Sequence, residues 1–481
     1  MLTFSVANIA SRLRAMPMVP ITLAFICGIV LSSHFTAHWA LWLVLSLLSM
    51  VVARRYRAVA LAAVFAFGGF VLALNHRQLL PQNRELHLVV KVTEQSRDYG
   101  RYNTNAADVL LCNDRRCRAK VRITCDSTLV PRQGDVIALS AVVRPFTVSN
   151  DSYAQSMYRQ GFSGRVTVRR SAVESYTPAR RQSLHSRAVE RLMSLTEKSE
   201  GRDVALSVTL GARTLSASQT ERSYSLGGAS HLLAVSGLHV GLLFALLNLL
   251  LFPLIFLWRG NILRATAATA LVWLYVALCG WPTSAIRAAV MFSVLQLSYL
   301  SKSRHMAENS LCSTAFVMLA FDPYMLFELS FQLSFTAVVA ILFVARPVTV
   351  LIRCGGVAKG VVDMTAISTA SVLATAPIVS HSFGVVSLLS IVTTPLALLS
   401  SQLIIVLNIA SLLLPRSVAQ ITAQSAAWCG SVQNFIVENV VCLGFGYAEY
   451  RIGELTESLC YVALALLVLL SFGFRWPRSE R

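Results

Sequence analysis

The sequence predicts a polytopic α-helical membrane protein interrupted by an extracytoplasmic all-β insert. Three observations carry this reading. The 481-residue chain is 55% hydrophobic and only 14% charged, too little charge to cover a water-soluble protein of that length. Apolar runs suited to the hydrocarbon core recur along it. Between residues 75 and 182 those runs stop, and short β-branched segments alternate with turn residues.

Residues 1–74 hold apolar runs at 19–33, 39–53 and 58–74. The first starts late, lacks a small-residue cleavage site and is followed by two more, so it reads as a span rather than a cleavable signal. The insert, residues 75–182, offers strands near 86–93, 108–111, 119–124, 136–143 and 164–169. Pro131-Arg132-Gln133-Gly134-Asp135 is a turn before a strand, and Asn113-Asp114-Arg115-Arg116 makes a hairpin turn. So many short strands in so few residues fit a small barrel, and the insert is expected to be OB-like. Such barrels bind single strands through basic grooves and stacking rings. Arg115, Arg116, Arg118 and Lys120 supply the charge, and Tyr99, Tyr102, Phe146, Tyr153, Tyr158 and Phe162 supply rings for a ligand or for the core. Cys112 and Cys117 flank the hairpin turn and are candidates for a disulfide in an oxidising compartment. Three cysteines without a fourth ligand fall short of a structural zinc site, so no metal is expected.

Residues 183–230 turn helical and amphipathic, with Leu184, Val189, Leu192, Met193, Leu206, Val208 and Leu210 on apolar faces. They predict a connector lying on the membrane surface. Residues 231–481 then carry runs at 231–258, 262–279, 285–301, 308–321, 329–345, 361–380, 386–414 and 458–474, with 417–441 the weakest span.

The net charge of +19 suggests nucleic acid, but cytoplasmic loops collect Lys and Arg for topological reasons alone. Arg12, Arg14, Arg54, Arg55, Arg57, Arg259, Arg264, Lys302, Arg304, Arg346, Arg353, Lys359, Arg475, Arg478 and Arg481 all become cytoplasmic if the N-terminus is inside. The insert then lies outside, where its excess of Arg and Lys has no topological cause. Contact with nucleic acid or anionic headgroups is the expectation there.

Three polar constellations interrupt the apolar runs. Gly228-Ala229-Ser230-His231-Leu232-Leu233-Ala234-Val235-Ser236-Gly237-Leu238-His239-Val240-Gly241 sets two histidines and two serines among glycines that permit a helix break. Polar groups at membrane depth face a cavity or the bundle interior. Ser236 and His239 share a helical face, which allows three readings: polar packing at a helix break lining a pore, a Ser–His dyad, or a metal site. A hydrolytic dyad needs an orienting carboxylate, and only the distant Glu328 or Asp322 offers one. The second constellation is Gly280-Trp281-Pro282-Thr283-Ser284-Ala285-Ile286-Arg287-Ala288-Ala289, with Pro282 at a helix start and Arg287 one turn inside a span. The third is Glu328-Leu329-Ser330-Phe331-Gln332-Leu333-Ser334-Phe335, in which Ser330 and Ser334 share a face and Gln332 is expected to bond a neighbouring helix. No GxxxxGK[ST], HExxH or HxHxDH occurs, so neither a P-loop motor nor a zinc hydrolase is expected, and no cofactor.

HLLAVSGLHVGLL resembles the signature of the ComEC family of competence DNA-uptake channels. Leu210-Gly211-Ala212-Arg213 leads into it in family style. Gly280, Ser284, Arg287 and Ala288 resemble the family's G-x-x-P-S-x-x-R-A element, with Pro282 displaced by one residue. Phe331-Gln332-Leu333-Ser334-Phe335 resembles its F-Q-L-S-F element, and residues 153–164 resemble the segment closing the external barrel. The likeness runs to roughly residue 414 and implies a channel domain over 231–481, passing single-stranded DNA through the inner membrane of a bacterium. It implies a path lined by His231, Ser236, Gly237, His239, Ser284, Arg287, Gln332 and Ser334, a separate cytoplasmic ATP-driven translocase and a periplasmic DNA-binding protein. The metallo-β-lactamase-like domain of many relatives has no counterpart in this sequence, so no nuclease role is carried over. Ser390 and Thr393 stand where relatives often have Asn before Pro395. Rival readings from the residues alone are a transporter of a small anion and an intramembrane hydrolase using Ser236.

The Lys/Arg asymmetry predicts residues 75–200 outside the cytoplasm and Arg259, Lys302 and Arg346 inside. Single cysteines introduced in the insert should react with an impermeant maleimide in intact spheroplasts. Reaction only after the cytoplasm is opened would reverse the topology.

Overall fold

In this computed structural model the described residues are 16–34, 44, 57–74, 79–93, 97–98, 102–126, 129–146, 151–178, 183–212, 219–300, 307–352, 356–384, 386–442, 446–448 and 450–473. All but one residue of the span expected at 39–53, together with Arg12, Arg14, Arg54, Arg55, Tyr99, Arg213, Lys302, Arg304, Arg353, Arg475, Arg478 and Arg481, lie outside them.

Helices α1 (Met18–His34) and α2 (Arg57–Leu74) come first and pack on each other. The insert follows as β1 (Glu85–Val92), β2 (Arg97–Asp98), β3 (Tyr102–Cys112), β4 (Arg115–Asp126), β5 (Val136–Arg144), α3 (Asp151–Arg159), β6 (Phe162–Val168) and β7 (Val173–Thr177). Strand order β1-β3-β4-β6-β5 closes on itself because β1 also pairs with β5. Only β4 and β6 run parallel in that ring, which makes a five-stranded OB-like barrel. Short β2 and β7 pair with β3 and β5. Alternation fills the barrel: Leu88, Val90, Val121, Ile123, Ile137, Leu139 and Val166 point inward and are buried. Asn113 and Asp114 both have positive φ, 47° and 63°, the two-residue turn whose twist matches a hairpin.

Helix α3 lies on the outside of this barrel. It clamps Phe146 and Phe162 with Ala106, Ala154 and Met157, and Tyr158 packs edge-on to Phe146 at 5.5 Å. Phe146, Tyr158 and Phe162 are therefore packing residues, whereas Tyr102 remains exposed.

The helical part runs α4 (Leu184–Leu195), α5 (Glu200–Leu210), α6 (Gln219–Leu226), α7 (Gly237–Leu250), α8 (Gly260–Leu278), α9 (Thr283–Leu300), α10 (Ala307–Phe321), α11 (Leu329–Ala340), α12 (Arg346–Leu351), α13 (Gly356–Phe383), α14 (Ser390–Leu413), α15 (Arg416–Val441) and α16 (Glu454–Gly473). Strands β8 (Val386–Ser387) and β9 (Tyr447–Ala448) clasp the ends of this last group. Among the described residues four helices are long and apolar enough to cross a membrane: Gly260–Leu278, Leu329–Thr349, Ala358–Phe383 and Ser390–Leu413. The second is continuous through a wide π turn at Ile341–Ala345. Pro347 has no N–H to give that turn, and the widened hydrogen bonding absorbs the loss. The weak candidate at 417–441 is a continuous helix, α15.

Two expectations need correction. The run 231–258 is not one span: a 3₁₀ turn at Ser230–Leu233 and extended residues precede α7, and a second 3₁₀ turn at Phe252–Phe256 follows it. Nor does all of 183–230 lie on a surface. Helix α4 is amphipathic, but α5 is buried from Val204 to Leu210 against α14 and α15. Val204 and Val208 meet Ile404, Ile405 and Ala426, while Leu206 and Leu210 meet Ala419 and Ala423. Small and hydroxylic residues let α5 enter. A Cβ added at Gly430 would stand 2.1 Å from the carbonyl oxygen of Gly201, so the two backbones touch.

Gly430→Val must therefore push α5 off α15. We expect about 3 kcal/mol of lost stability, read as a lower unfolding temperature of the detergent-purified protein. Wild-type stability would mean that α5 does not seat against α15.

Candidate functional site

The first constellation is built on a break in the chain. Gly228 adopts a positive φ of 68° and ends α6. Thr393 Oγ1 donates to Gly227 O at 2.7 Å, so Thr393 of α14 anchors the turn that leads into the signature. After the 3₁₀ turn the chain is extended through Ala234 and Ser236, and α7 starts at Gly237. Ser236 Oγ accepts from His239 N at 3.3 Å, and His239 Nδ1 accepts from Ser236 N at 3.3 Å. This is a capping box with histidine in the third helical position. It satisfies two backbone donors that hydrocarbon would leave bare.

His239 is 1% exposed, and its Nε2 has no partner. His231 is close enough to act on it electrostatically. His231, Ala234, Gly237 and Leu238 are exposed.

The second constellation packs directly on the first. Trp281 and Gly280 take positive φ, turning the chain so that α9 begins at Thr283 after Pro282. Ser284 Oγ donates to Val235 O, closing the carbonyl just ahead of the capping box. A Cβ at Gly237 would lie 3.8 Å from that of Ala288. Arg287, one turn further, is 7% exposed. Its Nη1 donates to Ser330 Oγ at 3.2 Å, Glu328 acts on it electrostatically, and its Nε has no partner.

The third constellation holds the other side. Ser330 Oγ also lies 3.4 Å from Thr283 Oγ1. Gln332 corrects its expectation: Nε2 donates to Leu326 O at 3.2 Å, tying down the 3₁₀ turn Pro323–Phe327 ahead of its own helix rather than bonding another span. Phe331 and Phe335 stack at 4.2 Å, and Ser334 is half-buried on α11. Three segments separated by some fifty residues each thus meet through 235–284, 237–288, 283–330 and 287–330. Among the described residues no hydrogen bond joins Arg287 directly to Ser236 or His239. Ser330, Thr283 and Thr393 were not among the expected path residues and join the site through these contacts. Asp322 caps its own turn through Tyr324 N at 3.0 Å. Among the described residues no group of three His, Cys, Asp or Glu gathers where an ion would be held.

On the barrel, Arg115 and Arg116 stand exposed at the hairpin tip, and strand alternation puts Arg116, Arg118, Lys120 and Arg122 on its outer face. Lys120 Nζ lies 4.7 Å from the centroid of Phe162, and Arg122 Nη1 contacts Met157 Sδ at 3.6 Å. No disulfide joins Cys112 and Cys117 in this structure. The hairpin pairs Cys112 with Arg115, and both thiols pack against the barrel core, where burial raises their pKa.

A family model described as Competence protein matches residues 208–477. ComE operon protein 3 of Bacillus subtilis (strain 168) is 38% identical over 135 residues, which is 27% of this chain and 17% of that protein. An uncharacterized protein of Aquifex aeolicus (strain VF5) is 35% identical over 178 residues, 37% of this chain and 39% of that one. The matches thus take in well under two thirds of either relative's length. No solved structure matches. The matched span runs from the end of buried α5 through all three constellations.

Proposed function

The chain belongs to the Competence protein family, and from that premise we propose that it takes up DNA as an inner-membrane channel, passing one strand into the cytoplasm. The observation that carries this reading is the meeting of three polar segments around a helix break, with a buried arginine beside it. Arg287 Nη1 donates to the Ser330 hydroxyl, and Glu328 acts on the guanidinium electrostatically. A buried guanidinium attracts an incoming anion, and low dielectric strengthens that attraction.

The N-terminus is cytoplasmic in this reading, and the barrel receives DNA on the outer side. Its exposed Arg115, Arg116 and Arg118 and its half-buried Lys120 engage phosphates, while energy comes from a separate ATP-driven translocase and delivery from a periplasmic DNA-binding protein. The hydrolase alternative fits the geometry less well. Ser236 Oγ and His239 Nδ1 each serve the other residue's backbone rather than one another, so the serine has no base. A small-anion transporter would also use the break, but it gives the external basic barrel no task.

Arg287→Ala should abolish arrival of labelled DNA in the cytoplasm while protein level and surface DNA binding stay at wild type. Normal arrival would end the channel reading. Neutralising Arg115, Arg116, Arg118 and Lys120 together to glutamine should lower single-strand affinity and reduce the log–log salt slope by about 3. A slope unchanged by the four substitutions would remove the barrel from DNA contact.

A further inference from the structure

A capping box normally carries Glu or Gln at its third helical position, because one acceptor is all the cap needs. This chain has His239 there, and an imidazole has a second nitrogen. Nδ1 accepts the Ser236 N–H, which leaves the ring proton on Nε2. That Nε2–H is buried in a residue 1% exposed and has no acceptor. The first-turn N–H groups of α7 at Gly237 and Leu238 open in the same region, at the positive end of the helix. In the adjoining segment Arg287 Nε is a second buried donor without an acceptor. Each of these groups is a donor, and what each lacks is an acceptor.

We propose that His239 divides its two nitrogens between structure and transport: Nδ1 caps α7, and Nε2–H is the donor for a phosphodiester oxygen of the passing strand. The proposal rests on the channel reading above. A phosphodiester brings acceptors, negative charge and no donor, which matches a helix N-terminus and orphan N–H groups. Bases bring donors and acceptors in sequence-dependent order and do not match. Contact here is therefore with the backbone and is blind to sequence. In this structure protein closes over Nε2, so strand entry uncovers it. The unmet donor weakens the closed packing at this point, and the phosphate completes it.

The test separates the two nitrogens. His239→Glu restores the usual capping box with no side-chain donor, whereas His239→Gln restores it through Oε1 and leaves a donor only on its shorter amide. Full-length variants are expressed in the competent host lacking its own copy, and protein level, unfolding temperature and cytoplasmic arrival of labelled DNA are read together. We expect His239→Gln to accumulate and unfold as wild type with arrival reduced about tenfold, and His239→Glu to lose arrival altogether. Wild-type arrival with His239→Glu, while Arg287→Ala blocks it, overturns the role of Nε2 and leaves the channel intact. Normal arrival in both variants overturns the channel reading itself. Failure of both cap-preserving variants to accumulate shows the ring to be structural and also overturns the proposal.

Discussion

An open helix end is the costliest thing a chain can leave in hydrocarbon, because no water is there to take its bare N–H and C=O groups. This chain places two such ends side by side. Helix α5 stops at Gly211 and α7 starts after Ser236, and a Cβ at Gly211 would sit 3.4 Å from Val235. Much of the surrounding architecture answers the groups they release. Tyr275 of α8 donates to Thr209 O at 2.8 Å, and Asn408 of α14 donates to Ala205 O and Thr209 Oγ1 at 3.2 and 2.9 Å. Ser207 takes up Ala212 O, Ser284 of α9 takes up Val235 O, and Thr393 takes up Gly227 O. Helices α8, α9 and α14 are thus fixed around the break by what the break requires.

The same constraint explains why polar residues gather where charge is needed. A helix break at depth must be lined with hydrogen-bonding groups, and those groups make the lining hospitable to a charged chain. Arg287 sits at the edge of that lining through Ser330, on α11. The turn Pro323–Phe327, which leads into α11 and is tied by Gln332, is also where α3 of the barrel rests, together with α13. The barrel and the helix-break site therefore share one turn.

The sequence makes the barrel legible because alternation and turn chemistry are local. The five ring strands and the Asn113–Asp114 hairpin follow from residue order alone. The apolar runs are legible for the same reason, and the glycines of 228–241 announced a break without saying where the helix resumes. Burial of α5 was not legible. Val204, Leu206, Val208 and Leu210 give the same pattern on a membrane surface as inside a bundle, and only the distant Asn408, Tyr275 and Gly430 decide between them. Gln332 misled for a related reason: a glutamine in a span needs an acceptor, but the nearest one was its own preceding turn. The meeting of 235 with 284 and of 287 with 330 is tertiary, so spacing in the chain carried no trace of it.

Both halves of the molecule point to recognition by backbone rather than base. On the barrel, α3 takes Phe146, Tyr158 and Phe162 into packing, and the face beside them carries Arg116, Arg118, Lys120 and Arg122. Stacking gives single-strand binders part of their affinity, and rings committed to a core do not supply it. In the membrane, the groups left over after the cap is made are donors, which suit phosphate oxygens. Under the proposed function, a channel that passes DNA of any sequence gains nothing from reading bases. Contacts to phosphate alone keep the strand equally bound at every step, so no particular sequence becomes a trap along the path.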